Sequence, residues 1–331
     1  MKQPLTMTLC FALLAALSPV LGEDGTQAPS SDGPSRGSTV EPFDPDLSRA
    51  IHAVENGLVP NSPEDQSKRL SELLTKVRAD PQHDTLYVPT GRYHIAKEIR
   101  LLPTVNLVGD GMGRTIFYRD DPDDYLVRSG ARADFGQTLI ANLSFRNQLR
   151  TLLMVDVHHL HFRSVEFEGG FVRFEKASHV TLRDNLFNRN LGKAGYASSN
   201  CSHMRIVYNR FLSVENGSIN LSGHTDSYVA YNHMTADKLI DSGYAGIRLP
   251  NGAKNNLVEH NFIENHGRGL FVLSSSVGNV LRRNTVKNTT YQGVFIQSSD
   301  NVLEENTIVD AGDEGIYVVD ATADSSPTPS L

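Results

Sequence analysis

The chain has 331 residues, of which 39% are hydrophobic and 21% charged, and its formal net charge at pH 7 is −7. This composition is typical of a folded globular protein with a large core. The lack of a basic excess excludes a dedicated nucleic-acid binder. It also provides no general attraction to acidic polymers, so a site for a polyanion must be local. Trp is absent, so aromatic surfaces must be built from Tyr and Phe.

Residues 1–22 have the pattern of a secretory signal peptide. Lys2 supplies the positive charge, residues 9–17 the apolar stretch and residues 20–22 a cleavage site. The apolar stretch is too short to span a bilayer, and no later stretch is long enough. The sequence therefore predicts a secreted or periplasmic protein with no membrane span. Ser, Gly and Pro are frequent over residues 23–43, which predicts a flexible linker.

Residues 44–80 contain two short apolar patterns with a helical period. Asp44-Pro45 is a helix start, and the apolar positions after it fall on one helical face: Leu47, Ile51, Val54 and Leu58. Ser62 is a helix N-cap with Pro63 in the first turn, and a second apolar face follows: Leu70, Leu73, Leu74 and Val77. The patterns predict two helices that cap the domain following them.

From residue 85 onward the apolar runs are short and alternating. In the second half an asparagine recurs every 22 to 29 residues, at Asn185, Asn209, Asn232, Asn261, Asn284 and Asn306. Two other series keep the same period, a Gly-apolar pair such as Gly246-Ile247 and an Asn-apolar pair such as Asn256-Leu257. Three markers in one period indicate that the chain follows the same path in every coil. Because no helix-length pattern lies between them, we predict an all-β parallel β-helix of about ten coils.

The recurring asparagine has a structural role in this prediction. Asn tolerates the left-handed backbone conformation that a sharp turn needs. In stacked coils its amide lies about 4.8 Å from the next one, so the side chains can form a hydrogen-bonded ladder. We predict that the β-helix domain, with its cap, spans residues 44–320 and that residues 321–331 form a disordered tail. The open C-terminal end is then covered by this tail or by a protein partner.

The first predicted coils carry a family resemblance. Residues 85–118 contain the phrases TLYVPTGRYHI and VNLVGDGMGRTIFY. They resemble the opening of the pectin-lyase-like superfamily of right-handed parallel β-helix proteins at Pro89, Gly91, Tyr93, Ile95, Ile99, Leu101, Leu107, Gly109, Gly111, Thr115 and Ile116. The resemblance implies a right-handed coil and a sugar polymer bound along the outer face of one long sheet. It does not specify an activity, because this superfamily includes lyases, hydrolases, epimerases and non-enzymes.

Strand alternation identifies the residues on that outer face. Within residues 246–249, Ile247 and Leu249 point inward, so Arg248 points outward. The same register predicts one outward row of substrate-binding residues: Arg173, Asn220, Arg248, Phe271, Phe295 and Tyr317. Lys254, in the following turn, adds a further cation. Arginine and amide groups beside aromatic rings suit a chain of acidic sugars, whereas a solvated or loop-covered face is the alternative.

The turns that lead into these strands are rich in titratable residues. We predict a catalytic set on two or three adjacent coils: Arg248, Tyr244, His266, Asp241, Arg268 and His224. Such a set suits removal of the C5 proton of a uronate. A cation neutralises the carboxylate, a base takes the proton, and Tyr or His donates one. The sequence contains no metal-ligand cluster or cofactor motif, so neither a metal nor a cofactor is predicted.

The activity signatures of the superfamily match this chain in part. Arg248 and Pro250 resemble the Arg-x-Pro-x-x-Arg phrase of pectate lyases, but Lys254 lies one position late. NHGRG at 265–269 resembles the Gly-His-Gly of polygalacturonases without their paired aspartates, and the Asp-Pro-His of mannuronan epimerases is absent. The predicted function is a lyase or C5-epimerase acting on a uronate-containing polysaccharide. A glycoside hydrolase and a non-catalytic polysaccharide-binding or assembly protein are the alternatives.

Overall fold

The computed structural model describes residues 47–130, 132–190, 194–273 and 275–319. These residues form a right-handed parallel β-helix of about ten coils, as the repeat predicted. Every described strand pairs in parallel with the equivalent strand of a neighbouring coil. The predicted signal peptide, linker and C-terminal tail lie outside the described residues.

The elements follow one another in short segments separated by turns. A 3₁₀ turn covers Leu47–Arg49, the helix α1 covers Ser67–Ala79, and the strands are β1 (Ala50–His52), β2 (Thr85–Val88), β3 (Gly91–His94), β4 (Ile99–Leu101), β5 (Asn106–Gly109), β6 (Thr115–Tyr118), β7 (Val127–Ser129), β8 (Ala133–Val155), β9 (Val157–Glu175), β10 (Thr181–Arg183), β11 (Leu186–Asn188), β12 (Tyr196–Ser199), β13 (Arg205–Val207), β14 (Arg210–Leu212), β15 (Ile219–Ser222), β16 (Tyr228–Ala230), β17 (His233–Thr235), β18 (Ala245–Leu249), β19 (Leu257–Glu259), β20 (Phe262–His266), β21 (Arg268–Val272), β22 (Val280–Arg282), β23 (Thr285–Thr289), β24 (Val294–Ile296), β25 (Val302–Glu304), β26 (Thr307–Ala311) and β27 (Ile316–Val318).

The strands form three parallel faces. The first face runs from β1 and β2 to β25, the second from β3 and β6 to β26, and the third from β4 and β7 to β27. The long strands β8 and β9 bend around a whole coil and contribute to all three faces. The third face carries the outward row predicted from the sequence, and it positions the site described below.

Aromatic side chains fill much of the interior of the second face. Five phenylalanines occupy one register position in successive coils and stack along the axis, with ring centroids 4.3 to 6.1 Å apart: Phe117, Phe145, Phe167, Phe187 and Phe211. All five are fully buried. Since each ring contacts the next coil, the stack favours one register between neighbouring coils.

The asparagine ladder is present and buried. Asn261 Nδ2 donates to Asn284 Oδ1 at 3.0 Å and to the carbonyl of Val229 at 3.0 Å, while Asn261 Oδ1 accepts the backbone N–H of Asn232 at 3.0 Å. The same pattern links Asn185 through Asn306, and a second ladder links Asn256, Asn279 and Asn301. Each amide therefore joins three successive coils.

The left-handed residue of each turn differs from the sequence expectation. Ladder asparagines do not have a positive φ, whereas the residue before each of them does, for example Tyr231 at 57° and His260 at 55°. The sharp turn is therefore made one residue earlier than predicted. This arrangement leaves the asparagine free to direct its amide inward, into the ladder.

The N-terminal cap contains one helix instead of the two predicted. The first segment folds as the 3₁₀ turn followed by β1, because Ile51 pairs with Leu86 and extends the first face. Val54 is exposed, so no continuous apolar helical face exists there. The second helix, α1, buries its predicted apolar face but begins later, at Ser67. Asp65 accepts the N–H groups of Ser67 and Ala96 and joins the helix start to the coil.

The last described coil is open on its outer side. Within the described residues, the strands β25, β26 and β27 pair with the preceding coil only. Ile316 and Val318 are 53% and 65% exposed. A protein partner at this end remains a prediction from the sequence.

We expect the substitution Asn261→Ala to reduce the free energy of unfolding by about 1–3 kcal/mol, because it leaves buried backbone groups of two coils unsatisfied. Urea unfolding followed by circular dichroism measures this change. Asn306→Ala is the matched control, since Asn306 is the half-exposed last rung of the same ladder and water can replace its bonds. Equal losses for the two variants would contradict a stabilising role for the buried ladder.

Candidate functional site

The register of the third face places the predicted row in one line. Arg173 pairs with Ala197, Ala197 with Asn220, and Asn220 with Arg248. Beyond Arg248 the line continues through Phe271, Phe295 and Tyr317. The prediction from the sequence omitted Ala197, because its small side chain gives no signal at this position of the row. All six predicted row residues therefore share one register position on the outer face.

Arg248 lies at the centre of the row between two aromatic rings. Its Cζ is 5.1 Å from the ring centroid of Tyr244 and 5.6 Å from that of Phe271. Burial lowers the pKa of this guanidinium from its ordinary value. Its Nε is buried and has no hydrogen-bond partner among the described residues, and no described carboxylate forms an ion pair with it. Arg248, whose side-chain hydrogen-bond contact is with Tyr244, is therefore a partly desolvated cation with an unused Nε donor.

Asn220 provides an unused acceptor beside this donor. It is the register partner of Arg248 on the preceding coil, and its Oδ1 is buried without a hydrogen-bond partner among the described residues. Since buried polar atoms are normally paired, an unpaired donor and an unpaired acceptor on adjacent strands indicate a place where a ligand supplies the partners.

A second arginine packs against the same aromatic rings. The Cζ of Arg268 lies 5.1 Å from the ring centroid of Phe271, 5.1 Å from that of Tyr291 and 5.2 Å from that of Phe295. Burial lowers the pKa of Arg268 as well. Its Nε donates to Gln292 Oε1 at 2.9 Å, and a terminal nitrogen donates to the carbonyl of Gly243 at 2.7 Å. Neutral acceptors hold this cation, so its charge is not cancelled by a bonded carboxylate.

The aromatic part of the row is a stack that is covered at one end. Phe271 and Phe295 stack with centroids 4.9 Å apart, and Tyr317 follows at 5.3 Å. Phe271 is only 7% exposed because Arg248 and Arg268 lie over it, whereas Tyr317 is 41% exposed. The aromatic part of the row is therefore exposed at Tyr317 and covered by the two arginines at Phe271.

Asp241 joins the site through a tyrosine. It lies in the loop over residues 236–244, and its Oδ1 accepts the hydroxyl of Tyr291 at 2.8 Å. This hydrogen bond raises the pKa of Tyr291. Asp241, Tyr244, Arg248 and Arg268 are thus brought together around the rings. The prediction from the sequence did not include Gln292, because a glutamine in a turn has no periodic signal. Its place in the site follows from its hydrogen bond with Arg268.

The structure places the two predicted histidines in the interior. His266 is fully buried; its Nδ1–H donates to the carbonyl of Glu264 at 2.9 Å, and its Nε2 accepts the hydroxyl of Ser218 at 2.9 Å. Burial lowers the pKa of His266 to about 4 and that of His224 to about 3. His224 packs against the buried ring of Tyr196. Both imidazoles are buried, so the structure does not bring them together with the other members of the predicted catalytic set on the outer face.

Two other predicted residues lie apart from the cluster. Arg173 is in the row but forms an ion pair with Glu175, and Ala197 and Asn220 separate it from Arg248. Lys254 lies in the turn after β18, where its backbone pairs with Thr225 and Val277 instead of joining the outward row. Of the four predicted cations, Arg248 and Arg268 are therefore the two that lie against the aromatic rings of the row.

The described part of the chain contains no cluster of three His, Cys, Asp or Glu residues that could hold a metal ion. None of its helices is long and apolar enough to cross a membrane.

The coil geometry and the row on the third face define a protein of the pectate-lyase-like β-helix class. The family described as rhamnogalacturonase A/epimerase, pectate lyase-like, matches residues 50–317, and the chain belongs to it. No curated protein matches the sequence.

Solved structures share the fold at low sequence identity. PfbA, a surface adhesin of Streptococcus pneumoniae, is 11% identical, with a TM-score of 0.54 over 81% of this chain and 93% of the adhesin. The Dettilon tailspike protein is 10% identical, with a TM-score of 0.56 over 82% of this chain and 69% of the tailspike. The ORF18 protein of Geobacillus virus E2 is 13% identical, with a TM-score of 0.53 over 82% and 60%. These likenesses concern the fold alone.

The two buried histidines predict acid sensitivity of the fold. Their folded-state pKa values lie below the ordinary 6.5, so protons bind preferentially to the unfolded chain. The stabilising contribution of the neutral imidazoles is complete above pH 6.5 and is lost as the pH falls toward 4. We expect the free energy of unfolding to fall over this range, by up to about 1.4 kcal/mol per pH unit for each histidine.

Urea unfolding at pH 7, 6, 5 and 4.5 measures this slope. His224→Leu should reduce it by the share of one histidine, because Leu does not titrate; the change removes one hydrogen bond, between Nδ1 and Ser227 Oγ at 3.2 Å, since Nε2 is unpaired. His52→Gln, at an exposed histidine, is the control and should leave the slope unchanged. A wild-type free energy that is constant from pH 7 to 4.5 would rule the assignment out.

Proposed function

We propose that this protein acts on a uronate-containing polysaccharide along the outer face of its third sheet, as a lyase or C5-epimerase. The observation that carries the proposal is Arg248, a half-buried guanidinium between Tyr244 and Phe271 with an unpaired Nε. Keeping such a cation without a carboxylate costs free energy, and an anionic ligand at this position offsets the cost.

A uronate carboxylate is the anion that suits this place. The guanidinium binds a carboxylate through two parallel hydrogen bonds, and the unpaired Oδ1 of Asn220 beside it accepts a sugar hydroxyl. The rings of Phe295 and Tyr317 continue the row in the direction in which neighbouring sugars of a polymer lie. Membership of the rhamnogalacturonase A/epimerase family supports a polysaccharide as the substrate class.

The proposed chemistry begins with removal of the proton at C5. Arg248 and Arg268 neutralise the carboxylate and stabilise the negative charge that develops on it as the C5–H bond breaks. Asp241 is the proposed base, and Tyr244 the proposed donor. In a lyase the C5 electron pair forms a C4–C5 double bond, the C4–O bond breaks, and Tyr244 protonates the leaving oxygen. In an epimerase Tyr244 instead returns a proton to C5 on the opposite face.

Glycoside hydrolysis is the second candidate, because carboxylates lie on two sides of Tyr291 and Gln292. Asp241 accepts from Tyr291, and Asp313 and Glu314 accept from Gln292 at 3.2 and 3.0 Å. A glycoside hydrolase needs two carboxyl groups on opposite sides of the scissile bond, one as the acid and one as the base or nucleophile. Non-catalytic binding is the third candidate. The burial of both predicted histidines favours this candidate, because buried histidines cannot transfer protons to a substrate on the outer face. Each candidate uses the same row, in a secreted or periplasmic protein.

Incubation with alginate, pectate and glycosaminoglycans distinguishes the three candidates. A rise in ultraviolet absorbance from unsaturated uronate identifies a lyase, and new reducing ends without that absorbance identify a hydrolase. A changed uronate composition without cleavage identifies an epimerase. Binding in a titration without any product identifies a binding protein. No binding to any acidic polymer would reject the proposal as a whole.

We expect Arg248→Ala to lower turnover on the active polymer by about 100- to 1,000-fold, the effect of losing one preorganised electrostatic group. The thermal midpoint should change little, since Arg248 fills no core volume. Arg210→Ala is the matched control: Arg210 is an outward strand arginine on the second face, exposed and outside the row. Unchanged turnover in Arg248→Ala, or an equal loss in Arg210→Ala, would remove Arg248 from the active site.

A further inference from the structure

A cleft lies beside the row, on the turns that connect the second face to the third. Its volume is about 810 Å³, within the range of small-ligand sites. We call it the turn cleft; it is lined by residues 146–148, 168–169, 213–216 and 236–242 and by Arg189. None of the residues assigned above to the polymer-binding row lines it, and Asp241, the proposed base, is the one described lining residue that the proposed proton abstraction uses.

The turn cleft is lined by polar and charged residues whose charges nearly balance, although apolar atoms supply most of its surface. The described residues of the lining include three cations and four carboxylates, and Arg146 is paired with Glu168. Ser213 donates to Asp237 at 2.8 Å. Leu239 adds an apolar contact, with 43% of its surface exposed. Hydroxyl, carboxylate and amide groups around an apolar contact suit a neutral ligand that carries many hydroxyl groups, since neither sign of charge prevails.

One buried acceptor in the wall lacks a partner. Asn147 is 1% exposed, and its Nδ2 donates to the carbonyls of Asp124 and Arg150 at 2.8 and 3.0 Å. Its Oδ1 accepts no hydrogen bond from the described residues. A hydroxyl group in the cleft can supply the missing donor, which is the kind of contact that fixes a sugar in a site.

A single loop separates the turn cleft from the Arg248 cluster. Residues 236–242 line the cleft, while Gly243 and Tyr244 contact Arg268 and Arg248. From Asp241 to Tyr244 the chain spans at most about 11 Å. The loop is held in place by Thr290, whose hydroxyl donates to the carbonyl of Ile240 at 2.6 Å, and by the backbone bond from Ile240 to Asn265. The two places are therefore close and fixed relative to each other.

We propose that the turn cleft binds a neutral sugar branch of the acidic polymer, so that the preferred substrate is a branched chain. This inference rests on the proposed function, because the polymer backbone occupies the row while its branch passes the 236–244 loop. The row binds the carboxylates of the backbone, and the turn cleft binds the hydroxyl groups of the branch. Branch recognition then raises affinity without a new charge contact.

Isothermal titration with two matched probes tests the proposal. One probe is a linear oligomer of the acidic polymer that the incubation selects from alginate, pectate and glycosaminoglycans, and the other is the same oligomer with one neutral hexose branch. We expect the branched probe to bind the wild-type protein about five- to tenfold more tightly, the effect of one additional well-packed contact set. Leu239→Ala should reduce this ratio toward one. Leu47→Ala is the control and should leave the affinity ratio unchanged, because Leu47 is similarly exposed, at 42%, but does not line the turn cleft.

Arg248→Ala separates this inference from the proposed function. It should weaken the binding of both probes by the same factor and leave their ratio unchanged. A third arm titrates a neutral hexose disaccharide alone into isotope-labelled protein, with amide shifts expected at Ser213 and Leu239. Shifts there without binding of the linear oligomer would support the cleft and reject the proposed function. Equal affinities for the two probes, together with no shift in the cleft, would overturn the inference.

Discussion

The structure depends on one repeated interaction, the hydrogen bonds that a buried asparagine amide makes with the coils on both sides of it. Asn261 is representative: its Oδ1 accepts from Asn232 on one side, and its Nδ2 donates to Asn284 on the other. Since a buried amide that lacks its partners is costly, this contact tolerates only one register. The left-handed residue before each asparagine makes the turn that directs the amide inward.

Fixed register has a direct consequence for the outer surface. Residues that are far apart in sequence, such as Asn220, Arg248 and Phe271, become neighbours on adjacent strands. The resulting cluster is unfavourable by itself, because Arg248 and Arg268 are like charges that share a partly buried place. The faces of Tyr244, Phe271 and Tyr291 reduce that cost through cation–π contact, without cancelling the charge as a carboxylate would. This keeps both cations ready for an anionic ligand.

The site lies where the repeat is least regular. The interval from Asn232 to Asn261 is 29 residues, the longest between ladder asparagines, and it contains the 236–244 loop. At that coil, a hydrogen bond between the side chains of Ser218 and His266 joins the preceding coil directly to the following one. The additional residues of the 236–244 loop therefore lie on the outside of the β-helix. They form one wall of the turn cleft and carry Asp241 and Tyr244 to the row. The regular coils thus supply a rigid surface, and one enlarged coil supplies the groups that make it specific.

The sequence by itself determined the β-helix, the ladder and the six row residues, because stacking and strand alternation have fixed periods that remain visible in one dimension. It did not determine the first segment of the cap, where the apolar spacing of Leu47 to Leu58 suits a helix but Ile51 pairs with Leu86 instead. Nor did it place His224, His266 or Gln292, since residues in turns and at strand ends follow no period. Their direction depends on how much room the neighbouring coils leave. Only the tertiary structure decided that both histidines lie inside, and that two arginines meet over Phe271.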